Sequence, residues 1–153
     1  MSRIISYKGT LDIGLEDRIR LKTIKGKVGY KIIKFQILPS TPGAAEFELV
    51  GKITKVKDPN IGPTVKFTDS DLLAVAYYQD HENAGYAYKD IIFDNEKFNQ
   101  DIYVQVSDAG SSSLECNYYI ELETTTLSDT EATMLTLRNI KDVVSSEWVS
   151  NII

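Results

Sequence analysis

The strongest constraint in this chain is a strict alternation of apolar and polar residues in its last third. Ile102, Val104 and Val106 alternate with Tyr103 and Gln105, and Tyr118, Ile120 and Leu122 alternate with Tyr119, Glu121 and Glu123. Successive side chains on a β-strand point to opposite faces, so a period of two predicts strands with one face in a core. The same texture occurs earlier. Residues 30–38 put Ile33, Phe35 and Ile37 on one face, while Ile32 breaks the alternation, as a bulge or a doubly covered strand would. Pro39-Ser40-Thr41-Pro42-Gly43 ends that strand, because proline has no N–H for a ladder and Pro-Gly favours a turn. Over residues 46–56, Phe47, Leu49 and Ile53 share a face, and Glu48 and Lys52 are expected on the solvent side. Residues 72–78 are apolar at both parities, as in a strand buried on both faces or a short buried helical segment.

Turn chemistry separates these runs. Residues 58–63 and 68–71 read as loops or turns, residues 79–88 as a polar, glycine-containing stretch, and residues 108–113 as a hairpin connection between the two alternating strands. At residue 128 the period changes. Ser128-Asp129-Thr130-Glu131 has the spacing of a capping box, and Met134, Leu137, Ile140 and Val144 then recur at intervals of three and four. The pattern predicts one short helix over about 129–141, followed by a C-terminal arm, 142–153, that carries Trp148, Ile152 and Ile153. Seven or eight strands and one late helix predict a mainly β domain over residues 1–141. The expected architecture is an antiparallel β-sandwich of jelly-roll or Greek-key type. The apolar end of the arm is expected to dock on its own domain or on a neighbour.

Composition narrows the class. The chain has 153 residues, 42% hydrophobic and 25% charged, which suits one globular core and argues against wholesale disorder. No run approaches the roughly 18 apolar residues of a membrane-spanning helix, and residues 1–8 lack the apolar stretch of a secretory signal. The net charge of −5 hides an asymmetry: residues 1–66 hold 13 Lys+Arg to 6 Asp+Glu, and residues 67–153 hold 4 to 16. Either the halves interleave and the charges mix, or one edge is basic and another acidic, which would favour charge-complementary, salt-sensitive association. Arg18, Arg20 and Lys22 head the basic stretch and are candidate interface residues. Net acidity and the lack of a nucleic-acid-binding motif argue against nucleic acid as the partner.

Catalytic signatures are sparse. His81 is the only histidine, flanked by Asp80 and Glu82, and Cys116 is the only cysteine, with no basic neighbour in sequence to lower its pKa. There is no nucleophile elbow, glycine-rich phosphate loop or zinc-protease motif. Asp69-Ser70-Asp71 and the acids of residues 94–101 offer oxygen ligands without the spacing of an EF-hand, and no cofactor or metal is expected. Glu121 or Glu123 opposite another acid would be the raw material for glycoside hydrolysis, a weak signal among 22 acids. The nine tyrosines, among them Tyr77-Tyr78, Tyr86, Tyr88 and Tyr118-Tyr119, suit contact surfaces, including sugar-stacking platforms, as well as core packing.

Residues 117–123, Asn117-Tyr118-Tyr119-Ile120-Glu121-Leu122-Glu123, lead through a capped helix start to Thr136-Leu137-Arg138-Asn139-Ile140. This aromatic strand with an acidic alternation, followed by a helix with that ending, resembles the C-terminal part of small virion proteins of marine tailed bacteriophages. The resemblance implies a structural component of the particle with no catalytic residues. The expected role is a capsid decoration, or cement, protein on the virion surface, a homo-oligomer bound to the major capsid protein or another virion protein. The alternative is a tail, head–tail connector or fibre module that binds a neighbour or a host glycan. In either setting a terminal segment, residues 145–153 above all, is expected to lie against another chain, with Trp148, Ile152 and Ile153 as its contacts.

Overall fold

Strands that each bury one face need a second layer, and in the computed structural model of this chain two sheets supply it to each other. The structure describes residues 3–21, 26–58, 60–81, 85–93, 97–110 and 114–152, with 145–152 described by their backbone alone. The described elements are β1 (Arg3–Asp12), β2 (Glu16–Ile19), β3 (Val28–Pro39), β4 (Phe47–Thr54), β5 (Leu72–His81), β6 (Gly85–Ile92), β7 (Ile102–Asp108), β8 (Glu115–Thr126) and α1 (Asp129–Ile152). One sheet has the order β1-β8-β3 and the other β2-β7-β4-β5-β6, and every pairing is antiparallel. The mainly β sandwich with a C-terminal helix is thus the observed architecture.

β8 is the central strand of the smaller sheet, paired with β1 from Glu115 to Thr124 and with β3 from Cys116 to Thr126. Its inward residues Ile120 and Leu122 share one core with Phe35, Phe47, Leu49, Ile53, Val104 and Val106, all fully buried. Gly51 permits the close approach of the sheets: a Cβ there would stand 3.0 Å from Ile37 Cγ2 and 3.1 Å from Phe35 Cζ. The period-two readings of β4, β7 and β8 therefore hold on the inward face.

Several expectations need correction. Ile33, placed with the inward residues, is 37% exposed, whereas Ile32 is 3% exposed. The register shifts between Ile32 and Lys34, so the bulge at this point exchanges which isoleucine enters the core. Lys52 is 8% exposed rather than solvent-facing. The outer face of β4 and β5 carries a second cluster, Val50, Leu72 and Val75 with Val65 against it, and Lys52 Nζ donates to the Thr64 carbonyl at 3.0 Å. Gln79–His81 end β5 and Gly85–Tyr88 begin β6, and the two strands pair antiparallel from His81↔Gly85 to Ala74↔Ile92. β7 and β8, expected to pair, lie in different sheets. The N-terminal segment is not a free arm but β1, paired along its whole length with β8.

The helix starts where the capping box places it. Ser128 Oγ accepts from Glu131 N at 3.2 Å, and the Glu131 carboxylate accepts from Ser128 N at 3.5 Å. It continues to Ile152 and takes in the residues read as an arm. No glycine or proline lies between Ser128 and Ile152, so nothing in the sequence stops it. The side chains of Trp148 and Ile152, and all of Ile153 and Lys22, lie outside the described residues.

Ile120 and Ile33 give the core a direct test. Ile120→Ala should cost about 2–5 kcal/mol in a urea melt, because a fully enclosed side chain leaves a cavity. Ile33→Ala, at the outward bulge position, should stay within about 0.5 kcal/mol of the parent.

Candidate functional site

An amphipathic helix ordinarily turns its apolar stripe to the body it packs on. α1 does the reverse. Met134, Leu137, Ile140 and Val144 recur every three or four residues and are 61%, 60%, 53% and 59% exposed. At 100° per residue they form one continuous stripe, and residue 148 follows 144 at the next helical interval of four. The opposite side of the helix is held mainly by polar contacts. Asn99, itself buried, shares its Nδ2 among the Gly26 carbonyl at 2.9 Å, Thr136 Oγ1 at 3.0 Å and the Ala132 carbonyl at 3.3 Å. Lys27 pairs with Asp129 at 2.9 Å, Lys97 with Glu131 at 3.6 Å, and the buried Lys55 with Asp142 at 3.7 Å. Ala132 is buried on this side, with Leu135 and Val143 half-buried beside it.

The second feature is an open cleft of about 770 Å³ beside the smaller sheet. Its floor is the outward parity of three strands. The register aligns Lys8, Tyr119 and Gln36 in one row, and Thr10, Asn117 and Leu38 in the next. Tyr78, Tyr86 and Tyr88 of β5 and β6 wall it where they meet β3. Tyr78 and Tyr86 stand edge to face with centroids 5.5 Å apart, and Tyr88 donates to the Phe35 carbonyl at 3.3 Å. Beneath the floor, Tyr118 donates to Asp17 Oδ2 at 3.3 Å, and its ring crosses Gly9 so closely that a Cβ there would meet the phenol oxygen at 2.5 Å. Burial, with Asp90 beside one and Asp17 beside the other, pushes the Tyr88 and Tyr118 phenols up to about 12, so both stay donors at neutral pH. The sequence singled out these tyrosines without placing them together. Lys8, Thr10, Gln36 and Asn117 were missed, because only the β1-β8-β3 pairing aligns them.

The other sequence candidates disperse. His81 Nε2 lies 3.3 Å from Glu46 Oε2 at the end of β5. The buried Cys116 thiol donates to the Asn117 carbonyl at 3.3 Å and is pushed up to about 12 by burial, which removes the thiolate at neutral pH. Asp69 Oδ1 accepts from Asp71 N at 2.9 Å in a local turn, and residues 94–96 lie outside the described residues. Among the described residues, no three His, Cys, Asp or Glu side chains converge as metal ligands would. Glu121 is paired with Lys34 at 3.4 Å, and Glu123 stands opposite Lys31 in register. Arg18 Nε donates to Asp101 at 2.7 Å, and Arg20 is exposed. Part of the charge asymmetry is met within the chain: Arg18–Asp101, Lys27–Asp129, Lys34–Glu121 and Lys55–Asp142 each join a base from the first half to an acid from the second. The chain matches no family model and no curated protein.

Two measurements test how the helix is held. Asn99→Ala removes the amide that reaches the Gly26 carbonyl, the Ala132 carbonyl and Thr136 Oγ1, and should cost about 1–3 kcal/mol, with faster amide hydrogen exchange over residues 129–144. Asp71 is raised from its ordinary value by burial first, then by Asp142 and Asp69. Its native state therefore holds a proton to higher pH than the unfolded chain, and stability falls as pH climbs through the interval just above the ordinary carboxylate range. Asp71→Asn should raise the melting temperature at pH 7, with the gain shrinking toward pH 4.

Proposed function

We propose that this chain is a non-catalytic structural protein of a virion, a decoration protein that docks on the assembled phage head through the exposed apolar stripe of α1. One observation carries the reading: the helix is fixed to its own domain by hydrogen bonds and ion pairs while Met134, Leu137, Ile140 and Val144 face outward. A contiguous apolar stripe on a domain with a complete core of its own marks a contact surface. The resemblance of residues 117–140 to small phage virion proteins supplies the setting, and the occupant is a neighbouring capsid subunit, with further copies of the chain around it. A protein that binds only the assembled shell stabilises it by mass action. No described helix is long and apolar enough to cross a membrane.

The same face would serve a tail, connector or fibre module, and position on the particle separates these settings: many copies over the head or few at one vertex. Electron cryomicroscopy of the intact particle reads this directly. Co-sedimentation of the purified chain with isolated heads tests the surface. Leu137→Asp should reduce binding at least about tenfold without lowering the melting temperature, since the position is exposed. Apolar contacts are little affected by screening, so binding carried by the stripe should persist from about 0.05 to 0.5 M salt. Binding that disappears with salt and ignores Leu137→Asp would instead place the contact on Arg18, Arg20 and their neighbours.

A further inference from the structure

We infer that the tyrosine-walled cleft is a binding site for an acidic oligosaccharide. It lies apart from the helix stripe and does not depend on the docking proposed for it. The cleft, about 770 Å³, falls in the size range of sites that enclose small ligands. Its chemistry is that of a surface for an amphipathic, polyhydroxylated ring. Tyr119 and the 69%-exposed Tyr86 offer aromatic faces for the apolar C–H face of a sugar. Gln36, Asn117 and Thr10 offer amides and a hydroxyl for its rim. Thr10 Oγ1 donates to Asn117 Oδ1 at 2.6 Å, which orients the amide and leaves its Nδ2 donors without a partner among the described residues. The grid spacing suits successive ring substituents, about 4.8 Å between strands and about 7 Å along them.

Charge selects the class of sugar. Among the described residues, Lys8 is the single charged residue lining the cleft, and no carboxylate lines it. Lys8 is exposed, and no carboxylate pairs with it among the described residues. Asp90 stands behind Tyr88 and Asp80 behind Tyr78 in the wall, whereas on the floor Lys8 is the charge presented to a ligand, and it complements one carboxylate per ligand, as on a uronic or sialic acid unit. A single-stranded nucleic acid also stacks on aromatics, but it needs a basic track along its phosphates, and the cleft has one cation on a chain of net charge −5.

The test is isothermal titration of the full chain with sialyllactose, oligogalacturonate and oligomannuronate, beside cellotetraose, maltotetraose and oligothymidylate. The expected result is saturable binding of at least one acidic oligosaccharide, in preference to the neutral ones. Tyr119→Ala should weaken it about tenfold, the loss of one stacking face, and Lys8→Gln should weaken the acidic ligand to the level of the neutral ones. Lys8 and Gln36 are exposed, so Lys8→Gln and Gln36→Ala decide the matter if Tyr119→Ala fails to fold. Absence of binding to every sugar, binding unchanged by Lys8→Gln, equal affinity for neutral oligosaccharides, or selective binding of oligothymidylate would each overturn the assignment.

Discussion

The burial of Ile120 and Leu122 inside the sandwich is the contact on which the rest of the molecule depends. Both side chains are wholly enclosed, in a core that includes Phe47 and Leu49 of β4 and Val104 and Val106 of β7. Because successive residues on a strand face opposite ways, fixing these two inward fixes Asn117, Tyr119 and Glu121 outward. A slip of one residue would carry Tyr119 and two glutamates into the core, so the register is specified by the cost of burying them. β8 also carries both neighbours of its sheet. Its register therefore decides that Lys8 and Gln36 flank Tyr119, and that Thr10 meets Asn117. The floor of the cleft follows from a packing decision made on the opposite face.

The helix follows a different logic. Its attachment is polar and directional: an asparagine amide reaching two carbonyls and a threonine hydroxyl, and lysines set against Asp129, Glu131 and Asp142. An apolar seam would have stabilised the docked helix more, at about 25 cal/mol per Å² buried, and α1 carries the residues for one. Those residues point outward instead. Polar clamps hold a helix in one orientation, whereas exchangeable apolar contacts allow it to roll. The arrangement thus presents a fixed apolar stripe and leaves its hydrophobic free energy to be released on association.

What the sequence revealed tracks how local each cause is. The alternation of β7 and β8 and the capping box at Ser128–Glu131 are encoded within a few residues, and both were legible. The bulge in β3 was legible as an irregularity, but whether Ile32 or Ile33 enters the core depends on the partner strand. Lys52 looked solvent-facing because nothing within β4 announces that the segment reaching Thr64 folds back over it. β7 and β8 looked like a hairpin because sequence adjacency is the best local guide to pairing. Their separation into two sheets is settled by β1 and β3, which pair with β8 from more than 75 residues away along the chain. The tyrosines were visible one by one. The cleft they share with Lys8, Gln36 and Asn117 belongs to strand order, which no local window contains.

The geometry of β8 also separates the two surfaces. The cleft sits over Asn117–Tyr119 near the start of the strand, and α1 begins three residues past its end at Thr126. Nine residues of extended chain from Asn117 to Thr126 span roughly 30 Å. The helix is anchored at that far end by Gly26, Lys27 and Asn99, none of which lines the cleft. Met134, Leu137, Ile140 and Val144 do not line the cleft either. β8 is paired on both sides from Asn117 to Thr124, so occupancy of the cleft should leave affinity at the helix stripe unchanged.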